Sequence, residues 1–176
     1  TGKLGDACNV TAANFHLDNT SSAFNFSNSD FTIAGWVNLN PDSGAGGSIW
    51  RCKAQTAYRM TCVFDDPTYT INAFVYDLAS GETTATLAGV SANAWHFIAM
   101  TFDKTTHELI LRVDTTTDAG NSTSNPCGSA DGFTIGGLFS GTCWMRIDSV
   151  GVWYRKLSSG ELDTLYNSGN GLEYPF

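Results

Sequence analysis

The sequence predicts an all-β protein, an antiparallel β-sandwich with one short C-terminal helix, built as a single domain over residues 1–176. Apolar residues alternate or cluster in short runs, as they do in strands that pack on a core. Hydrophobic residues make up 42% of the chain and aromatic residues 12%, whereas charged residues make up 15%. The polar surface must therefore come largely from Asn, Ser, Thr and Gly, which favour turns and strand edges over long helices.

The strand-like segments follow one another along the chain and are bounded by turn residues. The clearest of them are 31–39, 69–76, 95–102, 108–113, 132–135 and 145–154, and 49–64 is a candidate hairpin. The segment 103–107 is short enough for a hairpin turn, and the glycine-rich segment 41–47 is expected to form a looser loop. Sequential strands are therefore expected to pair antiparallel.

One helix is predicted near the C-terminus. Ser158 and Glu161 have the spacing of a capping box, and Leu157 and Leu162 occupy the two positions of a hydrophobic staple. Gly169 is expected to end the helix, because glycine commonly follows the last helical turn. All of these signals are structural and assign no function to the segment.

The charge balance restricts the possible partners. Seventeen acidic and nine basic residues give a net charge of −8, so a phosphate backbone would be repelled over most of the surface. We therefore expect no nucleic-acid partner. No apolar run approaches the roughly 20 residues of a membrane helix, so no membrane insertion is expected. Because the chain starts at Thr1 without a Met or a leader, we expect it to be part of a larger polypeptide.

The five cysteines form no Cys-x-x-Cys pair, which makes a zinc cluster an unsuitable interpretation. Cys52 and Cys62 would lie on opposite arms of the candidate hairpin and could form a disulfide, and Cys127 and Cys143 flank another strand pair in the same way. Such bridges would imply an oxidising compartment. Cys8 is then left over, and the pairing among the five cysteines stays open.

Several motifs resemble those of one family in the same order along the chain. Phe31-Thr-Ile-Ala-Gly-Trp-Val37, Trp95-His-Phe-Ile-Ala-Met-Thr-Phe-Asp103 and Leu109-Ile-Leu-Arg-Val-Asp114 resemble three successive strands of laminin-G-like, concanavalin-A-like domains. Arg146-Ile-Asp-Ser-Val-Gly-Val-Trp-Tyr154 and the helix after it are similar to the family's closing elements. The resemblance implies a two-sheet jelly roll with a shallow groove, a fold that carries many functions.

Glycoside hydrolases of the laminarinase type share the fold that this resemblance implies, but their catalytic pattern does not match. They need paired carboxylates that alternate along one strand and flank the scissile bond. The four glutamates here are scattered, at Glu82, Glu108, Glu161 and Glu173. The three histidines lie in unrelated segments, and no Gly-x-Ser-x-Gly elbow is present. We therefore expect a protein that is not an enzyme.

Asp148 is the candidate metal ligand, because the resemblance implies a structural calcium at this strand. Many relatives have an aspartate there that binds the ion together with backbone carbonyls of the N-terminal segment. Calcium accepts such mixed oxygen ligands. Calcium is therefore an expected structural cofactor, with further ligands expected around residues 6–18.

A carbohydrate site needs an aromatic face for the apolar side of a sugar and polar groups for its hydroxyls. Two regions offer this mixture. One contains Trp50, Arg51, Tyr58 and Arg59 on the candidate hairpin, and the other contains Trp144 and Arg146 at the start of a later strand. Trp36, Trp95 and Trp153 lie in the family's strand motifs and are expected to pack in the core.

These observations together predict a non-catalytic carbohydrate-binding or adhesion module of an extracellular or surface-exposed protein, with a polysaccharide or glycan as partner. One alternative is a structural or assembly domain of a viral or bacterial surface protein. The other is a polysaccharide-active enzyme whose catalytic residues follow no recognisable pattern.

Overall fold

The computed structural model describes residues 2–10, 17–20, 24–27, 29–40, 46–54, 57–65, 68–76, 81–121, 132–137 and 144–172. Within the strands, the side chains at positions 53, 54, 57, 58 and 59 are left undescribed. Cys127 and Cys143, the second predicted disulfide pair, lie outside the described residues. No helix in the described ranges is long and apolar enough to cross a membrane.

The described residues form strands and one α-helix, which confirms the predicted fold class. In chain order the strands are β1 (Cys8–Val10), β2 (Leu17–Asn19), β3 (Phe31–Leu39), β4 (Gly47–Ala54), β5 (Ala57–Asp65), β6 (Thr70–Tyr76), β7 (Glu82–Leu87), β8 (Trp95–Asp103), β9 (Glu108–Val113), β10 (Thr116–Asn121), β11 (Phe133–Ile135) and β12 (Met145–Trp153). The helix α1 spans Ser159–Tyr166, and a 3-10 turn follows at Asn167–Gly169.

The strands form two six-stranded sheets that pack face to face. Sheet A has the order β1-β12-β3-β8-β9-β10, and sheet B has the order β2-β11-β4-β5-β6-β7. All of the pairings are antiparallel. Inward-facing residues from both sheets, such as Ile33 and Phe102 of sheet A and Ile71 and Phe64 of sheet B, form the main hydrophobic core.

A second apolar cluster lies on the outer face of sheet A, where α1 packs. It joins Trp36 of β3 and Phe97 of β8 to Leu162 of the helix, with Tyr166 packed against them. Both faces of these central strands are therefore covered, and every residue of β3 is buried. By contrast, β6 of sheet B alternates between buried and partly exposed residues, as expected of a strand with one solvated face.

The predicted helix start is confirmed, but the predicted stop is wrong. Ser158 Oγ accepts a hydrogen bond from the backbone N–H of Glu161, and the Glu161 side chain accepts one from the backbone N–H of Ser158. The helix ends at Tyr166, and Asn167 rather than Gly169 supplies the left-handed residue that follows it, with φ of 47°. Asparagine tolerates this conformation better than most residues, so it ends the helix before the glycine is reached.

The predicted disulfide between Cys52 and Cys62 is wrong, because both are free thiols buried in the core. The register of β4 and β5 places Cys62 opposite Trp50 and Cys52 opposite Met60, so the two cysteines are not direct cross-strand partners. Burial raises the pKa of both thiols, so they behave as small apolar side chains. Cys8 is also free, so none of the described cysteines supports an oxidising compartment.

Candidate functional site

A pocket of about 170 Å³ opens at one end of sheet A. The strand register brings Asn9 of β1, Arg146 of β12, Asn38 of β3 and Trp95 of β8 into one row across this sheet. The first three line the pocket, together with Asn40, Asn93, Trp144 and Met145. Four asparagines from separate segments, one exposed tryptophan and one arginine therefore meet in a single depression.

The Arg146 guanidinium is held on two sides by its neighbours in this row. Its Nη2 donates a hydrogen bond to Asn38 Oδ1 at 3.0 Å. Its central carbon lies 5.6 Å from the centroid of the Trp95 ring, within the range of a cation–π contact. Asn38 itself is 4% exposed, so the arginine satisfies a buried amide oxygen while its own side chain is only partly buried.

Backbone hydrogen bonds fix the loops around the pocket. The N–H of Asn40 donates to the carbonyl of Trp144 at 3.0 Å, which joins the end of β3 to the residue before β12. The N–H of Asn93 donates to the carbonyl of Leu39 at 2.7 Å. Asn93 has a positive φ of 57°, which asparagine accepts more readily than most residues. The Trp144 side chain is 40% exposed, one of the few large apolar side chains so exposed in the described ranges.

This arrangement has the chemistry of a small polar-ligand site. Asparagine side chains both donate and accept hydrogen bonds, which suits ligands rich in hydroxyl groups. The exposed indole provides a flat apolar surface beside them. The described lining residues include no carboxylate and no histidine, so the pocket has no group for general acid or base chemistry in its described part.

The structure separates the two regions that the sequence predicted as ligand-binding. Trp144 and Arg146 do line one pocket. The prediction for Trp50 is wrong, because its side chain is fully buried between the sheets. Arg51 lies in the next position of β4 and is partly exposed, on sheet B and away from the pocket. Tyr58 and Arg59 belong to β5, and their side chains lie outside the described part of the structure.

Trp95 also differs from its prediction, since it is only partly buried and lies at the edge of the outer cluster. The four asparagines of the pocket were missed by sequence reasoning. Asparagine is frequent throughout this chain, so no spacing singles out Asn9, Asn38, Asn40 and Asn93. They meet only because the strand order of sheet A and two loops bring them together.

Asp148, the predicted calcium ligand, is bonded to backbone amides. Its Oδ2 accepts hydrogen bonds from the N–H groups of Lys3 and Leu4, both at 2.8 Å, and Ser149 Oγ donates to its Oδ1 at 3.1 Å. A Cβ added at Gly2 would lie 2.5 Å from Oδ2, so the N-terminal segment packs tightly on the carboxylate.

These contacts do not fit a calcium site. The N-terminal backbone presents N–H donors to Asp148, whereas calcium would need oxygen ligands at that position. The described residues also contain no group of three or more His, Cys, Asp or Glu side chains that could hold a metal ion. In these parts of the chain Asp148 therefore anchors the N-terminal segment to β12, and calcium stays a prediction from the resemblance.

The structure contains a hydrogen-bonded series that sequence reasoning missed, Ser91–His96–Asp114. His96 Nδ1 donates to Asp114 Oδ2 at 2.7 Å, and His96 Nε2 lies 3.0 Å from Ser91 Oγ and 2.9 Å from the Ser91 carbonyl oxygen. Asp114 Oδ1 also accepts a hydrogen bond from the N–H of Phe97. The order of the three residues is that of a nucleophilic triad.

The protonation state of His96 argues against a catalytic role for this series. A carbonyl oxygen only accepts hydrogen bonds, so the contact with the Ser91 carbonyl requires a proton on Nε2, and the contact with Asp114 requires one on Nδ1. The hydrogen bond to Asp114 raises the pKa of His96, although burial opposes this, and the charged ring is favoured. An imidazolium cannot accept a proton from Ser91, so the series holds the loop between β7 and β8, which includes Asn93.

Comparison with solved structures shows the same fold in bacterial toxin domains. The binding domain of botulinum neurotoxin DC in complex with SialylT has a TM-score of 0.74 at 13% identity, over 97% of this chain and 46% of that one. The same binding domain in complex with rat synaptotagmin II gives 0.73 at 12% identity, over 97% and 46%. The binding domain of Paraclostridial Mosquitocidal Protein 1 gives 0.67 at 15% identity, over 94% and 46%.

At these identities the likeness concerns the fold, and the chain spans less than half of the length of each of these solved chains. Comparison with curated proteins gave no match in sequence. The family model described as concanavalin A-like lectin/glucanases superfamily matches residues 12–163. With its two antiparallel sheets, the lectin-like jelly roll and this match over most of its length, the chain belongs to the laminin-G-like group of the concanavalin A-like lectin/glucanases superfamily.

Proposed function

We propose that this chain is a non-catalytic carbohydrate-binding or adhesion module of an extracellular protein, and that it binds glycans in the pocket at the end of sheet A. The observation that carries the proposal is the exposed Trp144 ring in a pocket lined by four asparagines and Arg146. The lectin-like fold supports a carbohydrate partner in general terms. The pocket supplies the residue-level hypothesis.

The physical basis is the two-sided nature of a sugar ring. Its C–H face is apolar and packs on an indole, while its hydroxyls need partners that both donate and accept. Trp144 offers the first surface, and the amides of Asn9, Asn40 and Asn93 offer the second. A volume of about 170 Å³ is below the usual size of a drug-sized ligand site, so the pocket suits a single sugar unit at the end of a chain.

A non-catalytic role is supported by the same residues. The described lining lacks the paired carboxylates of a glycosidase, and His96 is held as an imidazolium away from the pocket lining. The similar solved structures are named as binding domains, and one of them is in complex with SialylT. A glycan-binding role in turn favours an extracellular or surface-exposed parent protein.

The test is a glycan array probed with the wild-type chain and with Trp144→Ala. Tyr154→Ala is a matched control, since Tyr154 is an exposed aromatic residue at 51%. It lies ten positions further along the chain from Trp144, roughly 33 Å away if the strand is extended. Circular dichroism should show that both variants keep the fold.

We expect selective binding that Trp144→Ala weakens at least tenfold and Tyr154→Ala leaves within a factor of two. A chelator should leave the binding unchanged, because no carboxylate is among the described lining residues. Binding that survives in Trp144→Ala would place the ligand elsewhere. If the folded wild type binds no glycan on the array, the carbohydrate proposal fails, and the assembly role in a surface protein becomes the better hypothesis.

A further inference from the structure

Arg146 differs from the other residues of the pocket in its charge. The remaining described lining consists of four asparagine amides, an indole and a methionine, so the guanidinium is the charged group of this lining. The protein as a whole is acidic, with a net charge of −8. A positive group inside a polar pocket of an acidic protein indicates a local preference that differs from that of the overall surface.

The orientation of Arg146 is fixed before any ligand arrives. The hydrogen bond to Asn38 Oδ1 at 3.0 Å and the Trp95 ring at 5.6 Å come from β3 and β8, the central strands of sheet A. A planar guanidinium held in this way loses little side-chain entropy on binding. The group is therefore suited to contribute to affinity, and its contribution depends on the charge of the ligand.

We infer that the pocket selects glycans whose terminal sugar has an anionic oxygen group, a carboxylate or a sulfate ester, and that Arg146 binds this group. The inference rests on the proposed glycan-binding function and specifies its ligand class. Trp144 packs on the sugar face beside the anion, and the asparagines bind the hydroxyls. A neutral sugar would cover the guanidinium without compensating its charge, which costs binding free energy.

The fork of N–H donors on a guanidinium matches two oxygens of one anionic group. Such charge-assisted bonds are about twice as strong as neutral ones, so roughly a tenfold preference for the anionic ligand is expected. Lysine in place of Arg146 keeps the charge but loses the planar fork, and should retain only part of the preference. Glutamine removes the charge and still offers an amide donor to Asn38 Oδ1.

The experiment is isothermal titration calorimetry with matched pairs of oligosaccharides. One pair ends in glucuronate or glucose, a second in sialic acid or its desialylated form, and a third in sulfated or unsulfated galactose. Wild type, Arg146→Gln, Arg146→Lys and Trp144→Ala are compared at one ionic strength. The first two pairs report on carboxylates and the third on sulfate esters.

We expect the wild type to bind the anionic member of at least one pair at least tenfold more tightly, and Arg146→Gln to bind both members of that pair with similar, weak affinity. Trp144→Ala should weaken both members and keep their ratio. Equal binding of charged and neutral ligands by the wild type would overturn the inference and leave the proposed function standing. The same holds if Arg146→Gln keeps the preference while folded. If the wild type binds none of the six ligands, the inference fails, and the glycan array decides on the proposed function separately.

Discussion

Asp148→Ala is expected to destabilise the protein by about 3 kcal/mol, because it removes the acceptor of two backbone hydrogen bonds. Oδ2 binds the N–H groups of Lys3 and Leu4, both at 2.8 Å, and the aspartate is 9% exposed. A hydrogen bond to a charged group contributes about 1.5–3 kcal/mol. The lower end applies to each bond here, since Lys3 and Leu4 are only partly buried and water can reach their amides after the substitution.

The expected loss converts into a large shift of the melting temperature. For a domain of this length, 1 kcal/mol corresponds to about 2–4 °C, so the Tm should fall by roughly 6–12 °C. Thermal unfolding followed by circular dichroism measures it. Asp6→Ala is the matched control, because Asp6 is an exposed carboxylate in the same N-terminal segment and should cost below about 0.5 kcal/mol.

The same assay separates the amide-anchoring role of Asp148 from a calcium site. Calcium at about 1,000 times its Kd would add about 4.1 kcal/mol of stability, which corresponds to roughly 8–16 °C. We expect the Tm of the wild type to be the same in EDTA and in millimolar calcium. A fall of several degrees in EDTA that Asp148→Ala abolishes would refute the assignment. Equal melting of Asp148→Ala and wild type would refute the hydrogen-bond estimate.

Three further predictions concern other parts of the fold. The pKa of His96 is raised in the folded state by its hydrogen bond to Asp114, so the stabilisation is fully present below the ordinary histidine pKa of about 6.5 and is lost as the pH rises through the higher folded value. Urea unfolding should show this decline in the wild type and a flatter profile in Asp114→Asn; equal slopes would contradict it. Ser158→Ala removes the capping box and should lower the free energy of unfolding by about 1 kcal/mol, with an unchanged urea midpoint as the contrary result. Cys52 and Cys62 should resist iodoacetamide in the native protein and react in guanidinium without a reductant, as peptide mass spectrometry would show; no labelling after unfolding would indicate that they are oxidised.

Signals within short segments predicted most of the fold. The apolar pattern of Phe31–Leu39 gave the exact bounds of β3, and the capping box at Ser158 gave the start of α1. The segments that were missed are β1, β2, β7 and β10. They are short or polar edge strands, such as Thr116–Asn121, in which every residue is exposed or partly exposed. Strands of this kind form because a neighbour supplies hydrogen bonds, and their own pattern contains little apolar signal.

The candidate site was predicted only in part, because the face of a strand on which a side chain lies depends on register. Trp50 and Arg51 are neighbours in β4, yet Trp50 is in the core and Arg51 is partly exposed. Successive side chains of a strand point to opposite faces, so a shift of one residue would exchange the two. The amino acids themselves, both suitable for binding a sugar, do not indicate which of them faces solvent.

By itself, the sequence determined the fold class, the late helix and the presence of Trp144 and Arg146 in one binding region, because these depend on residues close together in the chain. Only the tertiary structure decided which asparagines join them. Asn9, Asn38 and Asn93 come from distant segments and meet through the strand order of sheet A and a loop bond to Leu39. Contacts of this kind are set by the packing of the whole sandwich, and no local pattern encodes them.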